Sequence, residues 1–538
     1  MSKQHSLKVL RHLNPSKDGA IKRMDLRYPA RFYPEARSIC RKVYLHIGPT
    51  NSGKSYTALQ ALKAAKCGFY AGPLRMLARE VYDRFQSEQI PCNLVTGDER
   101  MSSTNSDGSP ATLYSGTIEM MDLSQTFDVA VLDEIQMIAD PSRGWAWSQA
   151  FLGARAHELH LCGDANSESI IRHLVRQTGD ELHVKHYQRL SPLSMDKKPL
   201  SRGKLLKMLQ PGDCIVCFSA RKVKSLRDKI LQQLGRRCAV IYGSLPPETR
   251  AAQAQLFNDP KSGVDLLVAS DAIGMGLNLA VKRIIMYELT KFDGEGVIDL
   301  PIAQIKQIAG RAGRYRTAVP DASEPDVQAA EGGLVTSLSA RDNKTIALAL
   351  QANSALIDAA SIQPPKEFLR SFIIDQPGQF TSVLQQAFDS VILSKGYMKP
   401  RTEPIYKVSA LLDGISGLTL DDRIALGAAP VRQDDLIQNT FKLFCQVIAN
   451  RESKNIMEIM GDTLKRALQY TSTNMVHLEN VHKCITLFQW ISLRYPCNLL
   501  DRDGAENLKT LCEYRVNQCL ESKRNLAPGT FAPKFKRR

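Results

Sequence analysis

The sequence predicts an α/β fold: two α/β domains in tandem, each built on a parallel sheet, followed by a mostly helical C-terminal region. Three observations predict it. Short apolar runs alternate with helix-spaced segments from about residue 43 to 190, and the pattern starts again from about 211 to 320. From about 340 onward strand-like runs fade and helical spacing dominates. At 538 residues the chain is also too long for one hydrophobic core.

The first set of strands reads "VYLHI" (43–47), "CGFYAG" (67–72), "NLVTG" (93–97), "TLYSG" (112–116), "DVAVLDE" (128–134) and "ELHLCGD" (158–164). Segments between them, such as "SYTALQALKAA", have helical spacing, and "NSDGSP" (105–110) is a loop. Strand–helix alternation implies parallel pairing with helices on both faces. "SPLSMDKKPLSRGK" (191–204) reads as the linker to a second set: "CIVCFS" (214–219), "CAVIYGS" (238–244), "VDLLVAS" (264–270) and "RIIMYEL" (283–289). "DDLIQNTFKLFCQVIANR" typifies the helical remainder, and "APGTFAPKFKRR" at the end is too polar and proline-broken to order. The expected divisions are a short basic segment (1–40), domain one (41–192), domain two (193–335), a helical region (336–520) and a basic disordered tail (521–538).

Hydrophobic residues at 43% and charged residues at 23% are ordinary for a soluble globular protein. No run of eighteen apolar residues occurs, so membrane insertion is not expected. The 12 cysteines form no framework, which fits reduced thiols; Cys214 and Cys217 have no second pair nearby and read as buried strand rather than metal ligands. Net charge is +16, which suggests a polyanionic partner. Residues 1–42 carry a surplus of 8 and residues 521–538 a surplus of 5, so the middle holds only about +3.

The most informative stretch is "HIGPTNSGKS", a G-x-x-x-x-G-K-S between a strand and a helix: Gly48, Pro49, Thr50, Asn51, Ser52, Gly53, Lys54 and Ser55. Glycines let backbone N–H groups close around phosphates, Lys54 supplies a point charge for the β- and γ-phosphates, and Ser55 offers a hydroxyl to Mg²⁺. Hydrolysis needs two carboxylates more, one to hold the metal and one to orient water. "VAVLDEIQ" supplies both at a strand end, Asp133 for the metal and Glu134 for the water. Cations near the γ-phosphate complete such a site, and "QIKQIAGRAGRYR" offers Gln307, Arg311 and Arg314, with the two arginines three apart on one helical face.

In this order the stretches resemble a superfamily-two helicase with two RecA-like domains. "GPTNSGKS" looks like motif I, "AGPLRMLARE" motif Ia, "VTGDE" Ib, "SGTIEMM" the T-x-E element, "DEIQ" II, "CIVCFSARK" IV, "VASDAIGMGLN" V and "QIAGRAGR" VI. "HIGPTNSGKS", "YAGPLRMLAREVYDR", "VLDEIQMIADPSRGWAW", "VIYGSLPPETRAAQAQLFN" and "SDAIGMGLNL" narrow the resemblance to the Suv family, the ATP-dependent RNA helicases of the mitochondrial degradosome. Two features depart from the pattern: "LCGD" (161–164) stands where many superfamily members have S-A-T, and only about 40 residues precede the first strand.

The resemblance implies a 3′-to-5′ RNA helicase that tolerates DNA, acts in mitochondrial RNA turnover beside a 3′-to-5′ exoribonuclease, and uses ATP with Mg²⁺, or Mn²⁺ in its place. It implies that Pro73, Leu74, Arg75, Thr96, Gly97, Thr117 and Glu119 face single-stranded or partly duplex RNA from the first domain, and Ser219, Gly243, Ser244 and Ser270 from the second. Hydroxyls, small residues and glycines suit backbone contacts that read no bases. Asp271 would link motif V to the nucleotide, and Gly274 and Gly276 would let the backbone approach the ligand or turn into the next element. Trp145 and Trp147 read as packing, and the lack of a DEAD-box glutamine motif predicts loose base selectivity. A mitochondrial location follows mainly from the resemblance, with "KQHSLKVLRHL" as a candidate import helix. The rival readings are a duplex-DNA translocase and an ATPase-silent scaffold that recruits a nuclease.

Overall fold

Alternating burial along the first set of strands turns one sequence of apolar residues into two packed faces. The strands are β1 (Lys42–Ile47), β2 (Gly68–Gly72), β3 (Cys92–Val95), β4 (Arg100–Met101), β5 (Leu113–Thr117), β6 (Thr126–Leu132), β7 (Arg155–Gly163) and β8 (Glu181–His186). They form one sheet in the order β4-β3-β5-β2-β6-β7-β1-β8, parallel except for β3 with β4. Phe69, Ala71, Ala130 and Leu132 pack on Trp147, Phe151, Ile170 and Leu174, from α3 (Gly144–Gly153) and α4 (Glu168–Thr178). The residues between them in sequence, Tyr70, Val129 and Val131, pack on Leu59, Leu62, Val81 and Phe85, from α1 (Lys54–Ala64) and α2 (Arg75–Ser87). A period of two under helices on both faces is the doubly wound arrangement expected. The computed structural model describes residues 24–521 apart from 197, 275, 294–295, 314–331, 375 and 470–474.

The second sheet holds β9 (Leu193–Met195), β10 (Asp213–Val216), β11 (Arg237–Ile241), β12 (Val264–Ala269), β13 (Arg283–Met286) and β14 (Gly333–Ser337) in the order β9-β14-β13-β10-β12-β11, all parallel. Val216, Ile241, Leu267, Ala269, Ile284 and Met286 share a core with Phe257, Ile305, Ile308 and Ile346. These come from α6 (Pro247–Asn258), α7 (Ile302–Ala309) and the helix Ala340–Gln351; α5 (Ala220–Leu234) contributes Val223, Leu226 and Ile230 to the buried set.

Three sequence expectations need correction. Residues 191–204 are not all linker: Leu193–Met195 is an edge strand paired with Gly333–Ser337, and Arg202–Met208 is a 3₁₀ helix. The edge strand is three residues long and half exposed, too short for a periodic signal. Second, α7 stops at Ala309, so Arg311 lies in the turn that follows rather than on the helix; Arg314 falls outside the described residues. The C-cap is Gly310, still right-handed at φ −59°, and the turn after it passes through Gly313 at φ +81°. Third, the helical region divides. Helices at Ala340–Gln351, Lys366–Ile373, Phe380–Asp389, Glu403–Asp413 and Leu420–Gly427 belong to the compact unit that contains both sheets. Asp435–Ala449, Ile456–Gln469, Met475–Ser492 and Arg502–Glu521 form a second unit, where Phe444 and Phe488 meet edge to face at 5.5 Å. Among the described residues no helix is long and apolar enough to cross a membrane. The import-helix reading at the N-terminus and the tail beyond Glu521 fall outside the described residues.

Candidate active site

A parallel sheet exposes its loops at the carboxyl ends of its strands, and both groups of candidate residues lie there. On the first sheet they separate along the strand order. The phosphate loop follows β1, Asp133 follows β6 and Asp164 follows β7, and these three strands are neighbours. Pro73–Arg75 follow β2, Thr96 and Gly97 follow β3, and Thr117 ends β5, and these strands are neighbours too. The seam between the two groups runs between β2 and β6.

The phosphate loop leaves β1 with the Gly48 N–H donating to Gly163 O at 3.1 Å. It turns through Asn51 at φ +64° and Gly53 at φ +82°, and Lys54 opens α1. The free N–H groups of that first helical turn form an anion site. Lys54 is buried, and its ammonium donates to Gly48 O at 2.9 Å and Pro49 O at 3.3 Å. Ser52 Oγ is buried with no hydrogen-bond partner, a polar atom placed in the cradle that a phosphate oxygen would satisfy. Residues 48–55 therefore fit a nucleoside triphosphate.

Asp133 lies under this loop. Its carboxylate accepts from Ser55 Oγ at 3.1 Å, the Tyr70 hydroxyl at 2.9 Å and the Glu134 N–H at 3.0 Å. Burial, then the Glu134 charge, raises its pKa to about 6, against opposing pulls from Lys54, Tyr70 and Ser55. A serine hydroxyl and a carboxylate this close, with the carboxylate short of positive charge, suit a divalent metal. Tyr70, fully buried, is itself pushed well above the usual phenol range by burial and by Asp133. Trp147 Nε1 donates to Asp133 O at 3.0 Å, so this tryptophan packs, as expected, and also pins the strand end. Trp145 is partly buried against the same core.

Glu134 has a left-handed backbone at φ +53°, a strained conformation for a non-glycine residue. Gln136 Nε2 donates to its carboxylate, while Gln136 Oε1 accepts from the Asp164 N–H at 3.2 Å. Gln136 thus ties the second motif to the "LCGD" turn. Asp164 is raised by burial, offset by Lys54.

The remaining candidates fall into place unevenly. Arg75 pairs with Asp98, and Thr96 Oγ1 donates to the same carboxylate at 2.9 Å, so motifs Ia and Ib hold each other. Glu119 pairs with Arg143, with contacts of 2.9 and 2.6 Å. In the second sheet Ser219 precedes α5, Gly243 and Ser244 follow β11, and Ser270 follows β12, where its Oγ accepts from the Ala272 N–H at 3.1 Å. Asp271 accepts from Gln304 at 3.1 Å. Two placements differ from expectation. Gly276 lies against Leu74, where an added Cβ would come within 2.9 Å of that side chain, rather than in the phosphate cradle. Arg311 is buried, and its guanidinium donates to Gly274 O and Leu277 O, so in this structure it braces motif V. The Gln307 amide packs beside Gly274.

Family models match the chain in three places: the DEXQ-box helicase domain of Suv3 over residues 29–187, the helicase conserved C-terminal domain over 201–316, and the ATP-dependent RNA helicase SUV3 C-terminal domain over 475–522. The mitochondrial ATP-dependent RNA helicase SUV3 of Saccharomyces cerevisiae is 40% identical over 511 residues, covering 94% of this chain and 68% of that protein. This chain belongs to the SUV3 family. The mitochondrial DExH-box ATP-dependent RNA helicase DExH16 of Arabidopsis thaliana is 38% identical over 517 residues, covering 95% of this chain and 86% of that one. Both relatives are named as mitochondrial, and the location expected for the chain is the mitochondrion. The DEXQ box of the family is Asp133, Glu134, Ile135 and Gln136, and its last member is the residue that reaches Asp164. Gln136 and Tyr70 were not singled out from sequence; the "Q" of "DEIQ" was a usable signal for the first, whereas the second carries no motif.

Proposed function

We propose that the chain is an ATP-dependent RNA helicase that unwinds structured RNA from a 3′ overhang, tolerates DNA, and serves mitochondrial RNA turnover beside a 3′-to-5′ exoribonuclease. The observation that carries the motor reading is the 3.1 Å contact between Ser55 and Asp133, which joins the phosphate loop to the strand-end carboxylates. Lys54 would exchange the carbonyls of Gly48 and Pro49 for phosphate oxygens. Ser55 and Asp133 would hold Mg²⁺, which would supply charge neutralisation for the phosphates. Glu134, steadied by Gln136, would orient the attacking water. Arg311 and Arg314 would supply cations from the second sheet, Arg311 by leaving the Gly274 carbonyl. Polarity, DNA tolerance and the nuclease rest on the family resemblance, as do the strand contacts of Pro73–Arg75, Thr96, Gly97, Thr117, Glu119, Ser219, Gly243, Ser244 and Ser270.

Strand displacement on RNA and DNA duplexes with either overhang tests this reading. ATP- and Mg²⁺-dependent displacement from 3′-tailed RNA is expected, with slower displacement on DNA. Displacement from 5′ tails alone would reverse the polarity, and preference for blunt DNA would favour the translocase reading.

A further inference from the structure

Residues 189–191 run between β8 of the first sheet and β9 of the second, and they touch the nucleotide loop directly. The Leu190 N–H donates to Asn51 O at 2.9 Å. Ser191 Oγ accepts from Asn51 Nδ2 at 2.9 Å and donates to Gly313 O at 3.2 Å. Arg189 spans furthest. Its Nε donates to Ser191 O at 2.7 Å, which fixes the plane of the guanidinium. One terminal nitrogen then donates to Thr50 O at 3.1 Å and to Gly310 O at 2.9 Å, and the other donates to Ala312 O. Thr50 belongs to the phosphate loop, and Gly310 and Ala312 belong to the turn that carries Arg311.

We propose that Arg189 is a positioning residue that couples the phosphate loop to the 310–313 turn, so that the second sheet reads the state of the loop through this linking segment as well as through its arginines. This deepens the proposed ATPase function and rests on residues 48–55 taking the nucleotide.

The chemistry explains why an arginine stands here. Bringing two turns together brings their carbonyl oxygens together, and these repel one another and lose water. A planar guanidinium with five donors in a fixed fork can satisfy several carbonyls at once; a lysine ammonium is a point charge on a flexible stem. The turns approach closely enough to need this. A Cβ added at Gly310 would lie 3.0 Å from Thr50 Cβ and 2.9 Å from Lys306 O, so a larger residue there would press on both the phosphate loop and the end of α7. Nucleotide entry that shifts the carbonyl of Thr50 must therefore shift Arg189, and with it the turn of Arg311. The described hydrogen bonds of Arg189 go to Thr50, Ser191, Gly310 and Ala312 and not to Ser55 or Asp133, the residues placed at the metal, which separates its role from catalysis.

The test compares wild type, Arg189→Ala and Arg189→Lys for ATP turnover with and without RNA, and for affinity towards a fluorescent ATP analogue. Arg189→Ala is expected to lower RNA-stimulated kcat by about 10- to 100-fold, the scale of a small misplacement of catalytic groups, with analogue affinity within about threefold of wild type. Arg189→Lys should recover only part of the loss. Because Arg189→Ala also removes packing, Ser191→Ala serves as a milder second variant and should lower the RNA-stimulated rate while leaving the melting temperature close to wild type. Unchanged turnover in Arg189→Ala, full recovery by lysine, or a loss confined to analogue affinity would each overturn the proposal. Failure of the underlying reading looks different: wild type would itself show no RNA-stimulated turnover.

Discussion

Removing one oxygen atom, by Tyr70→Phe, should make the metal requirement of the ATPase sensitive to pH. The Asp133 carboxylate accepts three hydrogen bonds, from Tyr70 at 2.9 Å, Ser55 at 3.1 Å and the Glu134 N–H at 3.0 Å. A hydrogen bond to an ionised group contributes about 1.5–3 kcal/mol, equivalent to about 1–2 pKa units. The tyrosine O–H favours the charged carboxylate, so its loss raises a pKa that already stands at about 6 to roughly 7–8. Proton and Mg²⁺ then compete for Asp133 within the working pH range. At pH 6.5 the Mg²⁺ concentration for half-maximal turnover should rise by about 3- to 25-fold over wild type, and at pH 8.5 by less than about 1.5-fold. The ring is fully buried and is retained in phenylalanine, so packing should survive. Turnover titrated with Mg²⁺ at both pH values measures the effect. An equal defect at the two pH values, or none at pH 6.5, would refute the reasoning, because a packing defect does not titrate.

Lys54→Ala should abolish ATP turnover, whereas Glu134→Gln should keep nucleotide binding and stop hydrolysis; near-normal turnover in either variant would count against the motor. Arg311→Ala should lower kcat by roughly 10³-fold or more with little change in nucleotide affinity if the side chain leaves Gly274 for the phosphates. A normal kcat with weakened RNA binding would put Arg311 on the strand instead. Deleting residues 522–538, with their six cations, should flatten the slope of log RNA affinity against log salt by about 2–3, for three or four phosphate contacts. An unchanged slope, with loss only of nuclease co-purification, would make the tail a protein-docking element.

Long apolar strands between helices were legible in the sequence because their signal is local. "DVAVLDE" announces both a buried strand and the carboxylates at its end, and Asp133 and Glu134 indeed follow Thr126–Leu132. Three of the four edge strands were not. In Glu181–His186 only Leu182 and Val184 are apolar, and Leu193–Met195 is a strand only because Gly333–Ser337 lies beside it. Site residues divide in the same way. Lys54 and Ser55 are given away by spacing. Arg189 acts on carbonyl oxygens of residues 121 to 139 positions away, which any amino acid would supply, so no residue pattern marks its partners. Arg311 was found by motif, but its hydrogen bonds to Gly274 and Leu277 arise from the same kind of long-range backbone contact.

Tyr70 occupies the seam of the first sheet, and this gives its hydrogen bond a meaning beyond the metal site. β2 and β6 pair in parallel, with Tyr70 opposite Val131 and Ala71 opposite Leu132. Just past the end of β2, three residues beyond Tyr70, begin the proposed strand contacts of Pro73–Arg75; just past the end of β6, directly after Leu132, begin the carboxylates. A phosphate backbone that pulls on Pro73–Arg75 therefore pulls on the strand that holds Asp133 through a 2.9 Å hydrogen bond and through the Asp133 N–H, which donates to Ala71 O at 3.0 Å. Coupling between polynucleotide and nucleotide then needs no long path, since adjacent rigid strands carry both ends of it. The opposite flank of the nucleotide has its own short connection, Arg189, from the phosphate loop to the second sheet. Two flanking links of different chemistry, one to a carboxylate and one to backbone carbonyls, would allow RNA at Pro73–Arg75 and the second sheet to act on the phosphate site by separate routes.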